Sequence, residues 1–116
     1  MSFLKVARED VVLKLVTDVP RWIGSNLAEV FTSEDDVSMA CGIHEIFASE
    51  TPEPNPVVAD LLYILEGEIE VRIEGESKIY RQGDFAYLSA GPDRTYIVPE
   101  RVKLIYVTYP SDWQGA

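Results

Sequence analysis

The single histidine of this chain, His44, stands in the run VSMACGIHEIF beside Glu45. An imidazole and a carboxylate can relay a proton or share a metal ion. Strand-like alternation sends the two side chains to opposite faces. His44 shares a face with Ala40, Gly42 and Ile46, while Glu45 shares the other with Val37, Met39, Cys41, Ile43 and Phe47. A carboxylate on the more apolar face of a strand needs a partner or a raised pKa. Glu45 therefore reads either as a pocket carboxylate or as half of a structural ion pair at a strand end. His44 has no second histidine and no neighbouring ligand in the sequence, which counts against a metal centre. The lone Cys41 excludes an internal disulfide and a four-cysteine zinc site, and it reads as a small buried side chain. There is no G-x-x-x-x-G-K-[ST] phosphate loop and no G-x-S-x-G elbow.

The elements that must position these groups are strands, because a period of two dominates the sequence. In GEIEVRIEGES, Ile69, Val71 and Ile73 face one side and Glu68, Glu70, Arg72 and Glu74 the other, with Gly75 in the following turn. Upstream, LLYIL (61–65) is a dense apolar strand, and Glu66-Gly67 predicts a hairpin turn between the two. KIY (78–80), FAYLS (85–89), TYIV (95–98) and VKLIYVTY (102–109) follow, separated by RQGD, AGPD and PER. NLAEVFTS and VSMACGIHEIFA read as earlier strands, and EDVVLKLVTDVPRWIG as a strand and a short helical turn. TPEPNP is a rigid surface loop. Strands this short and regular predict an all-β fold, a small antiparallel sandwich or barrel. One domain is expected over 1–116, with residues 1–36 packing on or extending the barrel. The last strand is apolar on both faces, Val102, Leu104 and Tyr106 against Ile105, Val107 and Tyr109. One core cannot cover both, so the N-terminal segment or a second copy must, and a homodimer is expected.

A length of 116 residues with 47% hydrophobic content is ordinary for one globular domain. Ten basic against 20 acidic residues give a net charge of −10, a field that repels nucleic acid and anionic membranes. No secretory signal and no apolar run of about 20 residues is visible. The expectation is a cytoplasmic protein with no nucleic-acid or membrane partner.

Two stretches together resemble the paired motifs of the cupin family. In TPEPNPVVADLLYILEG (51–67), Asp60 precedes YILEGEIEV and Gly67 takes the turn; in GDFAYLSAGPDR (83–94), Gly83-Asp84 opens a strand and Gly91 closes the next turn. Within the cupins the chain is most similar to the EutQ family of ethanolamine-utilisation proteins, in their C-terminal cupin domain. The ending LIYVTYPSDW (104–113) carries most of that closer likeness. The resemblance covers roughly residues 37–113 and implies a jelly-roll barrel.

Placed onto the cupin pattern, the two histidine positions fall on Glu53 and Asn55, the carboxylate position on Asp60 and the last histidine on Arg94. Ser89 stands where a proline is usual. A guanidinium has no lone pair to give a metal, and Glu53 with Asn55 offers only oxygens. The resemblance thus implies a cupin without the usual metal site and without a cofactor. It also implies that Asp60 projects into the barrel with Arg94 as its counter-charge, fixing closure, binding a ligand, or both. Tyr87 and Tyr96, around the second motif, are expected to line the pocket, and Trp113 to pack the tail onto the barrel.

The expected ligand site is therefore Glu45, Glu53, Asn55, Asp60, Tyr87, Arg94 and Tyr96 around a small polar metabolite, with no catalytic residue assigned. Two alternatives stand beside it. One is an enzyme using carboxylates and a tyrosine for acid–base chemistry or to hold a hard cation. The other is an assembly component of a bacterial microcompartment. The resemblance also permits an acetate kinase activity, for which the sequence shows no phosphate cradle.

Overall fold

The computed structural model describes residues 2–112. Seven strands form one antiparallel sheet: β1 (Lys14–Leu15), β2 (Asn26–Phe31), β3 (Ala40–Glu53), β4 (Ala59–Ile73), β5 (Glu76–Arg81), β6 (Phe85–Leu88) and β7 (Arg94–Tyr109). Their order is β1-β2-β3-β7-β4-β5, with β6 on the free edge of β4. This is the all-β antiparallel barrel expected from the alternation. No helix among the described residues is long and apolar enough to cross a membrane.

The barrel closes because three strands are long. β3, β4 and β7 run 14, 15 and 16 residues, against a usual strand of about 5–6. Each serves both halves of the jelly roll. In one half, β3 from Ala40 to Phe47 and β4 from Ala59 to Gly67 flank β7 from Val102 to Tyr109; in the other, later parts of β3 and β4 flank Arg94–Val98. The register slips between Phe47 and Ser49 and between Gly67 and Glu70, and there the sheet bends.

Three sequence expectations change here, the first being TPEPNP, whose residues 51–53 are not loop but the end of β3, with Pro52 opposite Thr95. Glu66-Gly67 is not a hairpin turn but a bulge within β4. Gly67 has φ +78, and a Cβ on it would lie 2.0 Å from the Arg101 carbonyl oxygen. Likewise TYIV and VKLIYVTY are one strand, bent where Pro99, without an N–H, falls out of register. Turn-forming residues mark a bulge as readily as a reversal. The turn after Ile73 is a true hairpin, with Glu74 and Gly75 both at positive φ.

The core fills the barrel: Ile46, Leu62, Ile64, Ile69, Val102 and Leu104 form its centre. Val16 and Trp22 from the N-terminal segment join it. Val102, Leu104 and Tyr106 are the inward face of β7, so Ile105 and Val107 face out. Across the sheet they align with Ile43, Tyr63 and Phe85 and with Cys41, Leu61 and Tyr87. Phe85 is 66% and Tyr87 69% exposed, so this outer face is broad and apolar. Leu4 of the N-terminal segment lines a groove together with Met39, Cys41 and Val107 on this face.

Candidate functional site

Arg94 opens β7, paired with Glu53 of β3 and Ile73 of β4. Its side chain turns inward and is fully buried. Nη1 lies 2.5 Å from Asp60 Oδ2, 3.2 Å from Glu53 Oε1 and 3.1 Å from the Tyr96 hydroxyl. Nη2 donates to the carbonyls of Val58, Ser89 and Leu88 at 2.7, 2.9 and 3.2 Å. The Tyr96 hydroxyl donates to Glu53 Oε1 at 2.6 Å. Asp60 opens β4, where it pairs with Thr108 at the far end of β7. The guanidinium at one end of β7 therefore grips a carboxylate beside its other end, and so ties the halves of the barrel together.

Burial pushes the Asp60 carboxyl up to about 6; Arg94 opposes this, and the charge of Glu53 adds to it. Burial, and then Glu53, holds the Tyr96 phenol well above its ordinary value. Arg21 reaches Glu53 Oε2 at 3.5 Å from the partly exposed Pro20–Trp22 turn.

Beside this cluster lies a cavity of ≈ 60 Å³ whose lining includes Trp22, His44, Glu53, Asp60, Tyr106 and Thr108, with apolar walls from residues such as Leu27 and Leu62. His44 is kept neutral by burial, which lowers its pKa to about 4. Its tautomer follows from its neighbour. Ser25 Oγ donates to the Trp22 carbonyl at 2.6 Å, so its one proton is committed, and His44 Nε2 at 2.8 Å must donate to it. The Trp22 ring stands edge-on to the imidazole, with centroids 4.8 Å apart. Thr108 Oγ1 is buried without a hydrogen-bond partner.

Four of the seven expected residues, Glu53, Asp60, Arg94 and Tyr96, come together. Three lie elsewhere. Glu45 is on the outside of β3, accepting from Asn26 Nδ2 and Arg101 Nε, both at 2.8 Å. The Asn26 bond first, and then Arg101, hold its carboxyl below the usual range. Of the two readings of Glu45, the structural ion pair therefore holds and the pocket carboxylate does not, and Ala40, Gly42, His44 and Ile46 point inward. A Cβ on Gly42 would stand 2.6 Å from the Tyr106 hydroxyl, so the glycine makes room for that ring. A cavity wall tolerates small and polar residues, and a count of apolar ones misleads there. Asn55 sits in the exposed loop with φ 45, its N–H donated to Asp93 Oδ1 at 2.9 Å. Tyr87 belongs to the outer apolar face. Trp22, Ser25 and Thr108 were not anticipated. Thr108 was legible as the next inward position after Leu104 and Tyr106, whereas nothing local marked the other two. Trp113 lies outside the described residues.

The set at the cupin metal positions does not fit a transition metal. A guanidinium holds both carboxylates, and among the described residues no group of three or more histidines, cysteines or carboxylates is placed to bind an ion.

A jelly roll with inward groups at the positions of both motifs is a cupin. The comparison with known folds agrees: a cupin domain of Schizosaccharomyces pombe Cnp3 superposes with a TM-score of 0.70 at 20% identity, over 92% of this chain and 74% of that one. More narrowly, the chain belongs to the EutQ family. The family model for ethanolamine utilisation protein EutQ matches residues 3–115. The acetate kinase EutQ of Salmonella typhimurium is 33% identical over 97 residues, which is 83% of this chain and 41% of that protein. The crystal structure of an ethanolamine utilisation protein Q from the same organism superposes with a TM-score of 0.68 at 30% identity, covering 76% of this chain and 71% of that one. The chain spans 40–54% of the length of the curated relatives it matches.

Proposed function

We propose that this EutQ-family cupin binds a small polar metabolite in its barrel without a transition metal, in the metabolism of ethanolamine, other amines or aldehydes. The observation that carries this reading is the pairing of a cavity with a dense polar cluster. Glu53, Asp60 and Tyr96, held by Arg94, join His44 and Thr108 in a lining whose remaining walls are largely apolar, an arrangement typical of ligand pockets. Thermal-shift and calorimetric titration against a panel of amines, alcohols, aldehydes and carboxylic acids tests it, with metal analysis of untagged protein alongside. Saturable stabilisation by one class, with far less than one transition metal per chain, is the expected result. Stoichiometric iron, zinc or nickel would overturn the metal-free part.

The kinase activity in the name of the Salmonella relative is not assigned to this chain. Both terminal nitrogens of Arg94 are already committed to protein acceptors. The broad outer face favours a second element of the proposal, a homodimer formed through it.

A further inference from the structure

We propose that the cavity takes a small amino alcohol, its ammonium against Asp60 and its hydroxyl toward His44. This rests on the ligand-binding reading above and narrows it. The first support is the hydrogen-bonding inventory. Arg94 does not line the cavity, and its terminal nitrogens serve six protein acceptors. Of the polar groups in the lining, the Asp60 carboxylate and the His44 Nδ1 can only accept, while the Thr108 hydroxyl can accept or donate. Asp60 lines the cavity and accepts from Arg94 through Oδ2, and a carboxylate has further lone pairs to offer. His44 spends its one N–H on Ser25, leaving Nδ1 a bare acceptor. Thr108 Oγ1 is buried, lines the same space and is unpartnered. A ligand that satisfies this set must bring donors.

Charge points the same way. Arg94 offsets one of two adjacent carboxylates, and the other cation, Arg21, is one-third exposed, 3.5 Å from Glu53 and screened by water. With both acids ionised the cluster keeps one negative charge. An ammonium completes it, whereas a carboxylate or phosphate would face two carboxylates. A neutral imidazole nitrogen suits a hydroxyl, and the apolar walls and small volume suit a short carbon chain.

Calorimetric titration of the full chain with ethanolamine, 3-amino-1-propanol, ethylamine, ethylene glycol and acetate tests the assignment. The amino alcohols should bind at least tenfold more tightly than ethylamine, with no heat from glycol or acetate. Affinity should rise about tenfold from pH 5 to pH 7 as Asp60 ionises among Glu53, Arg94, Tyr96, Tyr106 and Arg21. Asp60→Asn should lose at least tenfold. Thr108→Val, which removes an unpartnered hydroxyl without changing shape, should fold as well as wild type and bind more weakly. Tighter binding of acetate, or amino-alcohol affinity unchanged by pH or by Thr108→Val, overturns this assignment and leaves a ligand site of another class. If Asp60→Asn does not fold, the wild-type pH series alone decides. Silence from every compound, here and in the wider panel, removes the ligand-binding reading and this inference with it.

Discussion

At the head of β7 a buried guanidinium has two carboxylates, a phenol and three carbonyls as partners. Taking an arginine out of water costs several kcal/mol, and the charge-assisted bonds of both terminal nitrogens offset it, although Nε is buried without a partner among the described residues. Arg94→Ala leaves Glu53 and Asp60 facing each other without that cation, so denaturant unfolding should show a loss of about 3–5 kcal/mol. Arg94→Lys should regain only part, because an ammonium cannot serve the carboxylates and the carbonyls at once. Wild-type stability in Arg94→Ala would mean the cluster does not hold the barrel. Two other groups pull against each other with pH. The folded pKa of Asp60, about 6, lies above its ordinary 3.8, so its contribution is largest in acid and is lost as pH rises through 6. For His44 the folded value of about 4 lies below the ordinary 6.5, so its contribution is present above 6.5 and is lost as pH falls through 4. In Asp60→Asn only the histidine slope remains, and stability should climb more steeply from pH 4.5 to 6.5 than in wild type. Urea titrations at those two values check this; equal slopes would place Asp60 in the ordinary carboxylate range.

The strands place these residues by bending, and the bend in β4 has one indispensable atom count. Gly67→Ala puts a methyl 2.0 Å from the Arg101 carbonyl oxygen at a left-handed φ, and should cost more than about 2 kcal/mol. Gly75→Ala, at φ +79 but in open space, should lose only the conformational part. Equal losses would show that the close approach to β7 is unimportant. This bend also marks where the sequence was readable and where it was not. Alternation located nearly every strand, and the motif spacing brought Asp60, Arg94 and Glu53 to one place. Alternation could not say that Gly67 bends a strand rather than ending it, since a positive φ serves both. Nor could it tell the inside of β3 from the outside. A barrel with a polar cavity and an apolar outer surface inverts the usual contrast, so the apolar neighbours of Glu45 suggest a pocket where the structure has an outward ion pair with Arg101. Trp22 reaches the cavity, and Ser25 the His44 that lines it, from the N-terminal segment through long-range packing that no local pattern encodes.

For the molecule as a whole, that outer surface is the least self-sufficient part. Phe85, Tyr87 and Tyr109 stand exposed beside half-buried Ile43, Ile105 and Val107. Light scattering at low micromolar concentration should return twice the chain mass. Phe85→Glu should return the single mass while leaving far-UV circular dichroism unchanged, because the residue contributes nothing to the core. A monomeric wild type, or a dimeric Phe85→Glu, removes this face as the interface.

The grip of Arg94 on Asp60 and Glu53 spans 34 and 41 residues of chain, and its consequence is one of time. Sheets assembled from distant segments fold slowly, over milliseconds to seconds, because loop closure precedes any reward. A network that needs the end of β3, the start of β4 and the start of β7 can form only after the chain has wrapped. Interactions absent from the transition state act on the rate of unfolding and leave the rate of folding almost untouched. Stopped-flow measurements on Arg94→Lys should therefore show faster unfolding with refolding near the wild-type rate, whereas slowed refolding would place the network early. The same residues that shape the pocket then set how long each folded molecule lasts.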